Sequence, residues 1–308
     1  MAVNLTEVSC IEKAVKCDTL WSGVLVSINT LSIIFNTLHI YVLRKMSKLR
    51  SQSYFWILLS LNLVDTAVAI SLVIGTSCIS RWLQNVSYGK ILIAAVLVSA
   101  ESSTLCRYFQ LTLASLDRYY AVCRPFEYNN SRLLSNVGKL SFCGWAVNTL
   151  ASIMQVAVAP YSICFGRLGP FMMVTKYTVY LSLWGSLNML LPSIATAIFL
   201  TKTIRELKRM QKRSMSMTDD DKEVKSTTKY ITVTSVLFYI TVIPIVLLAL
   251  MRTTLEVYVV DFMYLIVVLC QSLYGILNVV LFGFFNPGYV DQIRRLFCFR
   301  GVTRVEPF

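Results

Sequence analysis

Histidine is nearly absent from this 308-residue chain, with His39 the single example, and only 15% of the residues are charged. Those shortages exclude most catalysis. One histidine cannot form a cluster with metal-ligand spacing, and no Ser/His/Asp set can be assembled around it. No paired catalytic aspartates are found either. The chain therefore reads as a protein that is not an enzyme, with no cofactor and no metal. The apolar-polar alternation of a membrane barrel is missing, and so is any internal repeat period. Acidic residues are scarce, 16 against 29 basic ones, leaving a formal net charge of +13. Basic residues facing anionic inner-leaflet lipid account for that excess, and nothing in it calls for nucleic acid. No cleavable signal peptide is visible. The stretch before Gly23 is polar, and the apolar run after it is too long for a signal h-region, so that run is expected to act as an uncleaved anchor.

What the chain has in excess is apolar length. Hydrophobic residues make up 56% of it, and its mean hydropathy is +0.63. A soluble domain of this size cannot hide so much apolar surface. Seven runs reach the roughly 20 residues that a transmembrane helix needs. They are Gly23–Leu43, Tyr54–Ser77, Ile91–Leu116, Leu140–Ile163, Tyr177–Thr201, Tyr230–Met251 and Tyr258–Phe282. With the barrel excluded, helices are the remaining way to span. The expected fold is all-α: a seven-transmembrane helix bundle with a short amphipathic eighth helix. Residues 1–22 form an extracellular N-terminus, 23–282 the bundle, and 283–308 the interfacial helix and a short cytoplasmic tail.

Basic residues orient this bundle. With the N-terminus outside, the inner loops and tail carry 21 of the 29, the outer segments carry seven, and Arg107 lies within the third run. That bias puts the N-terminus outside and the C-terminus in the cytoplasm of a multi-pass membrane protein. Two glycosylation sequons then face outward, at Asn4 and Asn85, while a third at Asn129 faces the cytoplasm and stays bare. Of nine cysteines, Cys10, Cys17, Cys78 and Cys164 lie outside, where three pairings are open. The preferred one joins Cys78 to Cys164, with Cys10–Cys17 local. Cys106, Cys143 and Cys270 read as small buried apolar residues. Cys298 follows an amphipathic segment and reads as a palmitoylation site.

The loops are short except Lys202–Lys229, which is rich in Lys and Arg with an acidic knot at Asp219-Asp220-Asp221. It reads as a solvated, partly helical linker carrying the phosphorylation candidates Ser214, Ser216, Thr218, Ser226 and Thr227. After the seventh run, Asn286-Pro287-Gly288-Tyr289 opens a short helix. Its Tyr289, Ile293, Leu296 and Phe297 share a face beside Arg294 and Arg295, which suits the membrane interface.

Ionisable groups inside the spans are expensive and mark function. Among these groups and the amides, Asn36, Asp65, Glu101, Arg107, Asn188 and Asn278 stand out, with Asp117-Arg118 at the inner edge of the third run. Arg107 and Arg118 are eleven residues apart, close to three helical turns, so they share a face. Asp65 and Arg107 sit at similar depth in neighbouring spans, and each alone would be costly, so they are expected to pair.

Several stretches resemble the rhodopsin-like (class A) G-protein-coupled receptors. Asn36-Thr37-Leu38-His39-Ile40-Tyr41-Val42-Leu43 is similar to the first-span motif, and Leu61-Asn62-Leu63-Val64-Asp65 to the second. Ser115 to Pro125, containing Asp117-Arg118-Tyr119, is similar over eleven residues. Trp145, Pro192 and Pro244 stand where the family has them. Asn278-Val279-Val280-Leu281-Phe282 followed by Asn286-Pro287 resembles the end of the seventh span. The resemblance implies a cell-surface receptor that passes binding of an extracellular, small ligand to a heterotrimeric G protein, with arrestin, a receptor kinase and membrane lipid as further partners. It assigns the activation switch to Asp117, Arg118, Tyr119, Asn278 and Phe282, with Arg118 held by Asp117 until the sixth span swings outward. By the same analogy Glu101, Thr104, Trp184, Asn188, Val242, Ile245, Val246, Gln271 and Ser272 line the ligand pocket.

The sequence also departs from the family pattern. Arg107 stands where a small hydroxyl residue usually completes a sodium pocket with Asp65, so a fixed cation would replace a mobile one. Val242 replaces the usual Trp, Val279 a Pro and Phe282 a Tyr. The acidic partner for Arg118 on the sixth span is displaced, with Glu223 the nearest, and Ile93 stands near the place of an outer cysteine. Ala100 in place of the amine-binding Asp disfavours biogenic amines, although the adjacent Glu101 is a displaced counter-ion candidate. A seventh span without Lys excludes a retinal Schiff base. The alternative from another class is a multi-span transporter or proton translocator using Asp65, Glu101 and Arg107 as a relay. It would be expected to show paired half-repeats and broken spans. A ligand-gated odorant channel would place the N-terminus inside, against the basic-residue bias.

Overall fold

The computed structural model describes residues 19–50, 53–76, 89–128, 136–158, 162–165, 170–173, 178–213, 219–251 and 257–297. Its long helices follow the apolar runs. They are α1 (Thr19–Lys45), α3 (Ser53–Thr76), α4 (Gly89–Cys123), α6 (Val137–Val158), α7 (Thr178–Arg213), α8 (Asp219–Met251) and α9 (Val257–Phe285). Two single turns, α2 (Ser47–Arg50) and α5 (Pro125–Tyr128), and a short closing helix, α10 (Pro287–Phe297), complete the helical set. Among the described residues, Leu20–Lys45, Tyr54–Thr76 and Leu265–Phe285 are long and apolar enough to cross a membrane by length and composition.

Several boundaries differ from the sequence expectation. The fourth run was expected to reach Ile163, but α6 stops at Val158. Pro160 lies just beyond and disfavours helix in the residue before it. Residues 162–173 instead contain an antiparallel strand pair, β1 (Ser162–Phe165) with β2 (Pro170–Met173), in which Ser162 faces Met173 and Phe165 faces Pro170. The third helix continues past Leu116 to Cys123, carrying Asp117 and Arg118 inside a helix, and ends where Pro125 follows. The linker expected over Lys202–Lys229 is mostly helix: α7 runs to Arg213 and α8 begins at Asp219. Lys, Arg, Glu and Met in the first half are strong helix formers, and the acidic knot sits at the first turn of α8, where the helix dipole favours it. Thr227 is therefore buried, and the Ser226 hydroxyl donates to the Phe285 carbonyl, so neither is an open phosphorylation target in this state. Ser214, Ser216 and Thr218 lie outside the described residues.

The interior holds polar side chains alongside an apolar core, and many large apolar side chains face outward, as suits a bundle in lipid. Asn36, Asp65, Arg107 and Asn278 are all buried, whereas Ile34, Phe142, Leu150, Ile194, Ile240 and Phe284 are exposed. The expectation that Cys143 is buried fails for this reason: it is exposed on the outer face of α6, next to Phe142. An apolar residue in such a bundle can face lipid as well as core. Cys106 is fully buried, and Cys270 is half-buried. Helix α4 is central and packs on α3, α6, α7 and α8, while α9 packs on α1, α3 and α8. Gly144 lets α6 approach α4 closely, since a Cβ there would stand 2.3 Å from the Phe109 ring. Pro287 opens α10, where a missing amide proton is harmless. Tyr289 on its inner face is buried and Leu296 is exposed.

Candidate functional site

Helix α4 places Arg107 at the middle of the bundle, fully buried. A lone guanidinium there would be prohibitive, so its surroundings define the site. Arg107 Nη2 lies 2.6 Å from Asp65 Oδ1 on α3. Arg107 Nη1 donates to Gln271 Oε1 on α9. The guanidinium carbon sits 4.7 Å from the centre of the Tyr274 ring and 5.8 Å from that of Phe238, within the range of cation–π attraction. The other carboxylate oxygen, Asp65 Oδ2, accepts from Asn278 Nδ2 at 2.9 Å. Asn278 Oδ1 in turn accepts from the Tyr230 hydroxyl of α8 at 2.6 Å. The donors therefore converge on one carboxyl group, through a chain that touches α3, α4, α8 and α9. Linked charge-assisted bonds of this kind polarise one another in a low-dielectric interior. Asn36 completes the core from α1: its Nδ2 donates to the Ser32 carbonyl at 2.8 Å and to that of Gly275 at 3.4 Å. Gly275 is needed there, because a Cβ would meet Ser32 Oγ at 2.7 Å.

A second cluster closes the inner end of α4. Arg118 is almost fully buried, and its Nε donates to Asp117 Oδ2 at 3.0 Å. The Tyr128 hydroxyl, brought back by α5, donates to Asp117 Oδ1 at 3.1 Å. The guanidinium carbon of Arg118 lies 4.8 Å from the centre of the Tyr54 ring. Tyr119 points elsewhere and packs on Phe199 of α7 with ring centres 5.5 Å apart. Phe282 contributes its ring. It sits edge-on to His39, Tyr230 and Tyr289 at 4.8, 5.2 and 5.1 Å, an aromatic floor between the two clusters.

Of the residues assigned to the ligand pocket by resemblance, the side chains of Glu101, Thr104, Gln271 and Ser272 are described. Gln271 belongs to the charged core through Arg107. The Thr104 and Ser272 hydroxyls donate to carbonyls of their own helices, those of Ala100 and Val268. Glu101 is half-buried. The side chains of Trp184, Asn188, Val242, Ile245 and Val246 lie outside the described set, as does that of Glu223. Asn4, Cys78, Asn85 and Cys298 also lie outside the described residues, and of Cys164 only the backbone, in β1, is described. Tyr230, Tyr274, Phe238, Tyr54 and Tyr128 carry contacts that the sequence reading did not single out. An aromatic next to a buried charge has no linear spacing signature, although the spacing of Ser226 and Tyr230, four residues apart on α8, does mark one helix face.

A helical membrane bundle with an ion pair at its middle and an Asp-Arg pair at one mouth is the architecture of a seven-span receptor. The family model of the 7 transmembrane receptor (rhodopsin family) matches residues 35–281, from just before Asn36 to just before Phe282. The chain belongs to that family. It is a signal-transducing receptor, and as a family member a multi-pass protein of the plasma membrane.

Proposed function

We propose that this receptor binds a small extracellular molecule among the outer halves of its helices and passes the event to a heterotrimeric G protein at the end that carries Arg118. The observation that carries this reading is the state of Arg118. It is buried and tied to Asp117, which Tyr128 also holds. A buried arginine held by its neighbour can exchange that partner for a docking protein when the helices move. Ligand and G protein then bias one equilibrium from two sites. The N-terminus faces outward and the C-terminus the cytoplasm; arrestin, a receptor kinase and membrane lipid complete the partners, and nucleic acid is not one of them. A screen of small molecules in cells that read several G-protein outputs tests the proposal. A responding ligand should lose its signal in Arg118→Ala while surface expression is retained. A ligand response that survives Arg118→Ala would sink the assignment.

The family's sodium pocket is not compatible with these residues. Arg107 Nη2 occupies the space beside Asp65 Oδ1 at 2.6 Å, so a second cation there would meet a guanidinium. The charge pair itself joins α3 to α4.

A further inference from the structure

Resting receptors must hold the inner end of α8 against the bundle. The contacts described for Arg118 come from α3 and α4, not from α8. Two side chains of α8 instead reach α9. The Tyr230 hydroxyl donates to Asn278 Oδ1 at 2.6 Å, and the Ser226 hydroxyl donates to the Phe285 carbonyl. Ser226 and Tyr230 stand four positions apart, one turn of α8, and their acceptors Asn278 and Phe285 stand seven apart, two turns of α9, so both bonds lie along one α8–α9 seam. The Phe282 ring fills the seam between them, edge-on to Tyr230 at 5.2 Å. Both donors are at least partly shielded from water, and Tyr230 is 1% exposed. Asn278 is not an isolated acceptor, because its amide nitrogen is committed to Asp65. The seam is thus continuous with the Asp65–Arg107 pair in the middle of the bundle.

We propose that Tyr230 is a positioning residue for signal transfer: its hydroxyl fastens α8 to α9, with Ser226 as a second fastener, and so sets the resting activity. This rests on the receptor reading given above. Opening α8 breaks Tyr230–Asn278, which leaves Asn278 Oδ1 without its donor and loosens the clamp on Asp65. A rearrangement around Arg107 and Gln271 runs the same path in the other direction. The cytoplasmic end and the charged core are then coupled through one phenol.

The test uses the full-length receptor in lipid nanodiscs, without ligand. Tyr230→Phe keeps the ring and removes the hydroxyl. Hydrogen exchange of the backbone over 219–230 should quicken about fivefold, the shift produced by losing one hydrogen bond of ordinary net strength. Ligand-free nucleotide exchange on a panel of purified G proteins should rise by a similar factor. Ser226→Ala should move both in the same direction, and the double variant further. Tyr289→Phe is the control, since the Tyr289 hydroxyl is buried in the same aromatic group with no hydrogen-bond partner among the described residues; it should change neither. Unchanged hydrogen exchange in both Tyr230→Phe and the double variant overturns the fastener. Faster hydrogen exchange with no rise on any G protein upholds the fastener and counts against G-protein coupling instead.

Discussion

Arg107 shows how far one residue can be read in advance. Its apolar setting, its depth and its three-turn offset from Arg118 point to a carboxylate in a neighbouring span, and Asp65 lies 2.6 Å away. The rings of Tyr274 and Phe238 and the amide of Gln271, which share the same guanidinium, were not legible, because they come from helices more than a hundred residues distant. Burial of a paired charge is strongly stabilising only relative to breaking it: removing one partner costs about 3–5 kcal/mol. Arg107→Ser should therefore lower thermal stability while opening a pocket beside Asp65. In that variant sodium should stabilise the receptor and shift ligand affinity, whereas the wild type should ignore it. A sodium titration followed by thermal unfolding and, once a ligand is known, by competition binding checks this; a flat response in the serine variant would count against a fixed cation.

Apolar length alone locates the helices, because roughly 20 apolar residues have few other uses, but length does not say where a helix ends or which face it shows. Val158 and Cys123 end their helices beside prolines that the hydropathy of the runs does not weigh. Helices α7 and α8 run through charged sequence that reads as linker, because Lys, Arg and Glu favour a helix as readily as they favour water. Cys143 is the sharpest case at this scale. It lies on the exposed face of α6, in line with Phe142. If that face meets acyl chains, a lipophilic maleimide should modify Cys143 in intact membranes and a charged, impermeant one should not. Peptide mapping against Cys143→Ala assigns the label. Rapid modification by the charged reagent from the aqueous phase would put this face of α6 in water.

For the molecule as a whole, the inward bias of Lys and Arg makes an orientation statement with a glycan readout. Asn4 and Asn85 should carry glycans and Asn129 none. Glycosidase treatment should shift the wild-type band, an Asn4→Gln/Asn85→Gln variant should run at the deglycosylated mass, and Asn129→Gln should match the wild type. A glycan at Asn129 would invert the topology. The order of helices and the family were accessible from motifs spread across the chain, whereas the central place of α4 came only with the structure. Nor was the seam between α8 and α9 legible, because a phenol-amide pair leaves no trace in hydropathy. The reach of α7 to Arg213 and of α8 back to Asp219 has a practical consequence. A soluble helical bundle spliced in place of residues 214–218 would continue two helices that already reach that point, giving a stiff handle for imaging a particle otherwise hidden in its lipid disc.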